Sequence, residues 1–178
     1  MVILITTSRR PTRRVRVLAK ELERVIPHSK RVLRGKSNVR NLVDYMVNGG
    51  FDELVTIETR KGNPGGLVFY RLDDLNLRRL AVFQISGVSL QLDHKVKFHS
   101  STLGVELDEE ASGHSNVYRV YEFLADLLKS DLYHEPRGRP CNLRVSLIDG
   151  EISLSFVDAV TNKRVYPTLK IERILWEK

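Results

Sequence analysis

The order in which apolar residues repeat is what most constrains this chain. Val2 to Thr6 is a short apolar, β-branched run of the kind that forms a buried strand. After a turn at Thr7-Ser8-Arg9-Arg10, Pro11 suits the first position of a helix, where a missing N–H costs nothing. Val15, Leu18, Leu22 and Ile26 then recur at helical spacing, with Ala19 and Val25 beside them, and the helix stops before Pro27. His28 to Gly35 is a short strand leading into a turn. Asn38 caps a second helix with Val39, Leu42, Val43 and Met46 on its apolar face, ended by Asn48-Gly49-Gly50. Leu54 to Thr59, Leu67 to Leu72 and Leu80 to Ser86 read as strands, with a turn over residues 61–66 between the first two. The first half is thus β-α-β-α-β-β-β, an order that belongs to the α/β class, with a mixed sheet and helices.

The second half repeats the mixture. Val88 to Phe98 alternates loosely and reads as extended, and Glu106 to Gly113 reads as an acidic loop. Ser115 is the expected cap of a helix with Val117, Tyr121, Leu124 and Leu128 on its buried face. Residues 133–140 read as a loop. Leu143, Val145 and Leu147 alternate, Asp149-Gly150 turns, and Ile152, Leu154 and Phe156 alternate back, the pattern of a type I′ hairpin. Thr161-Asn162-Lys163 makes another turn before a last strand from Arg164 to Ile174, in which Pro167 predicts an edge or a bulge. A length of 178 residues suits one domain, 1–178, with an N-terminal half of about 1–86 and a C-terminal half of about 87–178. No apolar run is long enough for an export signal or a membrane span, and Cys141 is the only cysteine. No intrachain disulfide is therefore possible, and the expected location is cytoplasmic.

The net charge of +7 is unevenly placed. Residues 1–40 hold 12 basic side chains against Glu21 and Glu23, whereas the rest of the chain is slightly acidic. Arg13, Lys20 and Arg24 fall nearly opposite the apolar stripe of the first helix, and Arg16 flanks it. Thr7, Ser8, Arg9 and Arg10 stand just before that helix. Hydroxyls, amide N–H groups and guanidinium forks together are the groups that hold phosphates. The expected RNA-contacting set is Thr7, Ser8, Arg9, Arg10, Arg13, Arg14, Arg16, Lys20, Arg24, Lys30, Arg31, Arg34, Lys36 and Arg40. The bland alternative is a solvated helix face, but two acids among 12 cations leave most of the charge uncompensated. An anionic membrane surface would want aromatics on the helix's apolar face, and there are none.

Other motifs point away from chemistry. Arg34-Gly35-Lys36-Ser37 looks like the end of a phosphate-binding P-loop, but Lys30 stands where that motif needs glycine. His28, His94, His99, His114 and His134 show no metal-ligand spacing, and Asp108-Glu109-Glu110 reads as a solvated acidic loop. Phe69, Tyr70, Phe83, Phe98 and Phe156 fall in strand-like runs, where core burial is the default. No catalytic residue, metal, cofactor or small-molecule substrate is expected. Two other readings stay open at this point. One is a protein-interaction scaffold whose basic end docks on an acidic partner; the other is an RNA-processing enzyme.

Ile5-Thr6-Thr7-Ser8-Arg9-Arg10-Pro11, then Ala19-Lys20-Glu21-Leu22, Ile26-Pro27, Arg34-Gly35 and Asn41-Leu42-Val43 together resemble the Brix domain of ribosome biogenesis proteins. The resemblance spans about residues 2–72, and the bare length is similar to that of the short archaeal members. It implies two α/β halves, each similar to the anticodon-binding domain of class II tRNA synthetases. It also implies a non-enzymatic protein that binds ribosomal RNA or its precursor and assists rRNA processing and assembly alongside pre-ribosomal proteins.

Overall fold

The computed structural model describes residues 2–128 and 138–177. The chain forms two compact units. One comprises Met1–Glu23, His28–Ile85 and Arg173–Lys178, and the other Arg24–Pro27 and Ser86–Glu172. The class is the mixed α/β one that the pattern predicts.

The first unit opens with β1 (Ile3–Thr7), α1 (Arg13–Val25) and β2 (Ser29–Arg31). A 3-10 turn over Val39–Leu42, capped by the Asn38 side chain on the Val39 amide, runs into α2 (Val43–Gly49). Then come β3 (Glu53–Arg60), β4 (Asn63–Asp73) and most of β5 (Asn76–Ser89). The strand order is β2-β1-β3-β4-β5, parallel across β2, β1 and β3 and antiparallel thereafter. Leu4 and Leu54 are register partners and pack with Leu42, Met46 and Phe51, so α2 covers the face they share. The connection from β1 moves to one side and the connection from β2 moves back across it. Right-handed crossovers then put α1 on the opposite face, where Ile3, Ile5, Val55 and Ile57 are buried.

Two local expectations are corrected here. Arg13, not Pro11, is the first residue of the first helix, and Thr12 caps it: its hydroxyl accepts from the Val15 amide and its carbonyl from the Arg16 amide. A hydroxyl acceptor satisfies a free helix N–H, which proline cannot do. The turn after β3 is also tighter than residues 61–66. Lys61 and Gly62 alone make it, both at positive φ, and Asn63 already pairs with Arg60. The extra glycines serve a bulge between Glu58 and Thr59. A Cβ on Gly65 would lie 2.2 Å from the Arg60 Cβ, with the Arg60 backbone close behind, so nothing flexible can yield. Gly65→Ala should cost about 1–3 kcal/mol, read as a lower denaturation midpoint at unchanged m-value.

The second unit contains β6 (Ser100–Leu107), a 3-10 turn (Glu109–Ala111), α3 (Ser115–Leu127), β7 (Arg139–Ile148), β8 (Glu151–Asp158) and most of β9 (Arg164–Trp176). Its order is β9-β8-β7-β6, with β6 parallel to β7 and the others antiparallel. Both residues of the Asp149-Gly150 turn have positive φ, as a type I′ hairpin requires. Pro167 lies where the β8–β9 register shifts, so the bulge alternative holds. Cys141, Leu143, Val145, Leu154, Leu169 and Ile171 are buried along these strands, and Val117, Val120, Leu124 and Leu127 along α3.

Three expectations differ in this unit. Residues 90–98 are not extended: the buried Gln91 amide donates to the Tyr166 and Phe98 carbonyls, and backbone turns run from Leu90 to Val96. Part of the supposed acidic loop is the end of β6, where Glu106 accepts from Asn142 Nδ2 at 2.7 Å and Arg144 Nε at 2.6 Å. His114 holds the cap position of α3, and Ser115 is already helical. The expected loop at 133–140 lies outside the described residues up to 137, and Arg139 and Pro140 begin β7.

Cys141 is 1% exposed, and burial pushes its thiol up to about 12, against a weaker opposing hydrogen bond from the Val157 backbone. Folding therefore favours the neutral thiol. That contribution is whole below the ordinary value of 9.0 and is lost as pH rises towards about 12. Native protein should resist iodoacetamide at pH 8 and react only once unfolded, measured as the mass shift with and without denaturant.

Candidate nucleic-acid interface

Because β2, β1 and β3 are parallel, their carboxyl ends share one rim of the first unit. In open α/β sheets, ligands bind outside the carboxyl ends of strands where consecutive crossovers diverge, and β1 is that point here. The rim is cross-tied. The Ser8 amide donates to the Ile57 carbonyl at 2.8 Å, and the Ser8 and Thr59 hydroxyls meet at 2.7 Å. Thr12 Oγ1 donates to the Gly62 carbonyl, the Thr6 hydroxyl to the Val32 carbonyl and the Val32 amide to the Ile5 carbonyl. These bonds hold the β1–α1, β2–α2 and β3–β4 connections side by side.

The expected residues distribute unevenly over this frame. Arg9 and Arg10 are exposed on the rim beside the half-buried Ser8. Arg13, Arg16 and Lys20 are exposed at helical spacing along α1, while Arg14 and Arg24 are half-buried. Lys36 and Arg40 are exposed after β2. Thr7 is only 3% exposed and donates its hydroxyl to the neighbouring Ser8 carbonyl, so it is turned into the fold. Arg31 is half-buried beside Glu23, 3.6 Å from its carboxylate, which also accepts from the Arg31 amide. Lys30 lies over the Tyr45 ring at 5.8 Å.

The Arg34 guanidinium is perturbed by its surroundings. Burial lowers its pKa, and the like charge of Arg9 lowers it further, while Tyr70 and Glu58 oppose the shift. Its Nε is buried without a hydrogen bond among the described residues. A cation held down in this way gains most when an anion arrives.

Arg60 and Lys61, exposed at the β3–β4 turn, join the rim although their place in the sequence gave no hint of it. Only pairing with β1, some 50 residues earlier, brings them there. The unit that carries the rim has 18 basic and nine acidic residues, and the other has 11 and 13. Tyr70 departs from its four fellow aromatics. Phe69, Phe83, Phe98 and Phe156 are all buried, while Tyr70 is half-exposed with its phenol pKa raised by desolvation.

A probable Brix domain-containing ribosomal biogenesis protein of Saccharolobus solfataricus is 31% identical over 129 residues, which cover 71% of this chain and 69% of that protein. The chain belongs to the Brix domain-containing ribosomal biogenesis proteins. The Brix relative of Pyrococcus horikoshii is 39% identical over 89 residues, half of this chain and 40% of its own length. The chain thus spans about two fifths of that curated relative. The crystal structure of a probable ribosomal biogenesis protein from Aeropyrum pernix superposes with a TM-score of 0.77 at 22% identity, over 96% of this chain and 94% of that one, which shows a shared fold. No protein-family profile matches the chain. Among the described residues of this Brix protein, no helix is long and apolar enough to cross a membrane.

Proposed function

We propose that this Brix protein is a non-enzymatic, cytoplasmic ribosome biogenesis factor that binds precursor ribosomal RNA and assists its processing and packaging with pre-ribosomal proteins. The observation that carries the reading is the rim of cations at the carboxyl ends of the parallel strands. Arg9, Arg10, Arg34, Arg60 and Lys61 form its centre, and Arg13, Arg16, Lys20, Lys36 and Arg40 extend it. Ser8 and Thr59 add hydroxyls, and the backbone there is rigidly tied. Such a surface grips phosphates and leaves base identity unread. The names of the curated relatives supply the ribosomal context.

Binding to a structured ribosomal RNA fragment, followed by fluorescence anisotropy between 50 and 300 mM salt, tests it. Neutralising about five single-strand phosphates gives a log–log slope near −3.5, since each contributes about −0.7. Binding that ignores salt, or recovery from cells of a nuclease-resistant protein complex without crosslinked rRNA, would favour a scaffold docking on an acidic protein.

A further inference from the structure

One acid interrupts the rim. Glu58, near the end of β3, is exposed and makes no hydrogen bond or ion pair with any described residue, although it acts on the Arg34 charge. A lone carboxylate among phosphate-seeking cations opposes the binding they perform, so it needs another reason to be there. Its surroundings offer one. Glu58 is the register partner of Gly66 on β4, and Gly66 is the partner of Gln84 on β5. The carboxylate and the amide thus flank a strand position with no side chain, two strand spacings or roughly 9.5 Å apart at the backbone. A Cβ built on Gly66 would lie 3.7 Å from Glu58 Oε2, an ordinary contact distance, so the carboxylate reaches over the β4 backbone at this position. The Gln84 side chain is likewise unbonded to described residues and half-exposed. One pleat back on the same face, Thr56 is 4% exposed, and its hydroxyl has no hydrogen-bond partner among the described residues.

We propose that Glu58 and Gln84 form a base-reading site on this sheet face, selective for an unpaired guanine in RNA whose phosphates lie on Arg9 and Arg34. Guanine is the base whose Watson–Crick edge presents two adjacent N–H donors, which match the two oxygens of one carboxylate. Its opposite edge presents the O6 and N7 acceptors that suit the Gln84 amide N–H. Single-stranded RNA is read in this way, by splayed bases bonded on their edges. The inference rests on the RNA-binding reading and adds base selectivity to it.

The test uses labelled 12-nucleotide RNAs of adenosine alone, or with three central guanosines or three inosines, measured by anisotropy in 50 mM salt. The wild type should bind the guanosine oligonucleotide about tenfold more tightly than the adenosine one. Inosine, which lacks the N2 amino group, should fall between them. Glu58→Gln should abolish the preference while tightening the adenosine complex, because a repulsive charge has gone, and Gln84→Leu should weaken the preference in part. Equal binding of all three RNAs by the wild type, or a preference that survives Glu58→Gln, overturns the site but leaves the phosphate-binding rim standing. Failure of every RNA to bind overturns both.

Discussion

Reversing Arg9, Arg13 and Lys20 together to glutamate should lower affinity for structured ribosomal RNA about 100-fold or more near 0.1 M salt. It should also flatten the salt dependence by about two units of slope, roughly 0.7 for each lost phosphate. The three side chains are exposed, and no ion pair with a described residue is seen for any of them, so the substitutions leave no buried charge behind. Thermal stability should change little, since exposed substitutions of this kind usually stay within about 0.5 kcal/mol each. The readout is an anisotropy titration at several salt concentrations beside a melting curve. An unchanged affinity in a folded triple variant would remove the rim from the account of function.

The largest expected loss of stability comes from Arg71→Met. Its Nε lies 2.6 Å from the Glu53 carboxylate, its register partner across β3 and β4, and Glu53 is wholly buried. Removing the guanidinium leaves a carboxylate in the core without that partner, at a cost of about 3–5 kcal/mol. In a chain of this length that lowers the melting temperature by about 10 °C. The double variant Glu53→Leu/Arg71→Met should be markedly more stable than Arg71→Met alone, because no buried carboxylate remains. Equal instability of the two would show that packing, not charge, dominates at this position. The consequence reaches the rim, because β3 also carries Glu58, Thr59 and Arg60.

Much of the fold was legible from short-range patterns. The α1 stripe and the Asp149-Gly150 hairpin each depend on residues a few positions apart, and each stands as read, whereas Asn38 caps the 3-10 turn that leads into α2 and not α2 itself. Strand β6 was not legible. It is a half-buried strand paired on one side with β7 and held by polar contacts through Glu106, so it lacks the alternation that marks a strand with one wet and one dry face. Residues 90–98 misled for the opposite reason. Their apolar residues alternate, but Gln91 supplies from its side chain the hydrogen bonds that a neighbouring strand would have made.

The interface divides along the same line. Sequence alone determined that cations crowd the amino end and that a strand runs into a basic helix there, because charge and periodicity are local properties. Only the tertiary structure decided which of those cations act together. It set Arg31 against Glu23, turned Thr7 inward, and brought Arg60, Lys61 and the solitary Glu58 beside Ser8 and Arg34. The reason is the parallel pairing of β1 with β3. It joins residues about 50 positions apart, and no periodicity in the chain encodes which strand lies next to which.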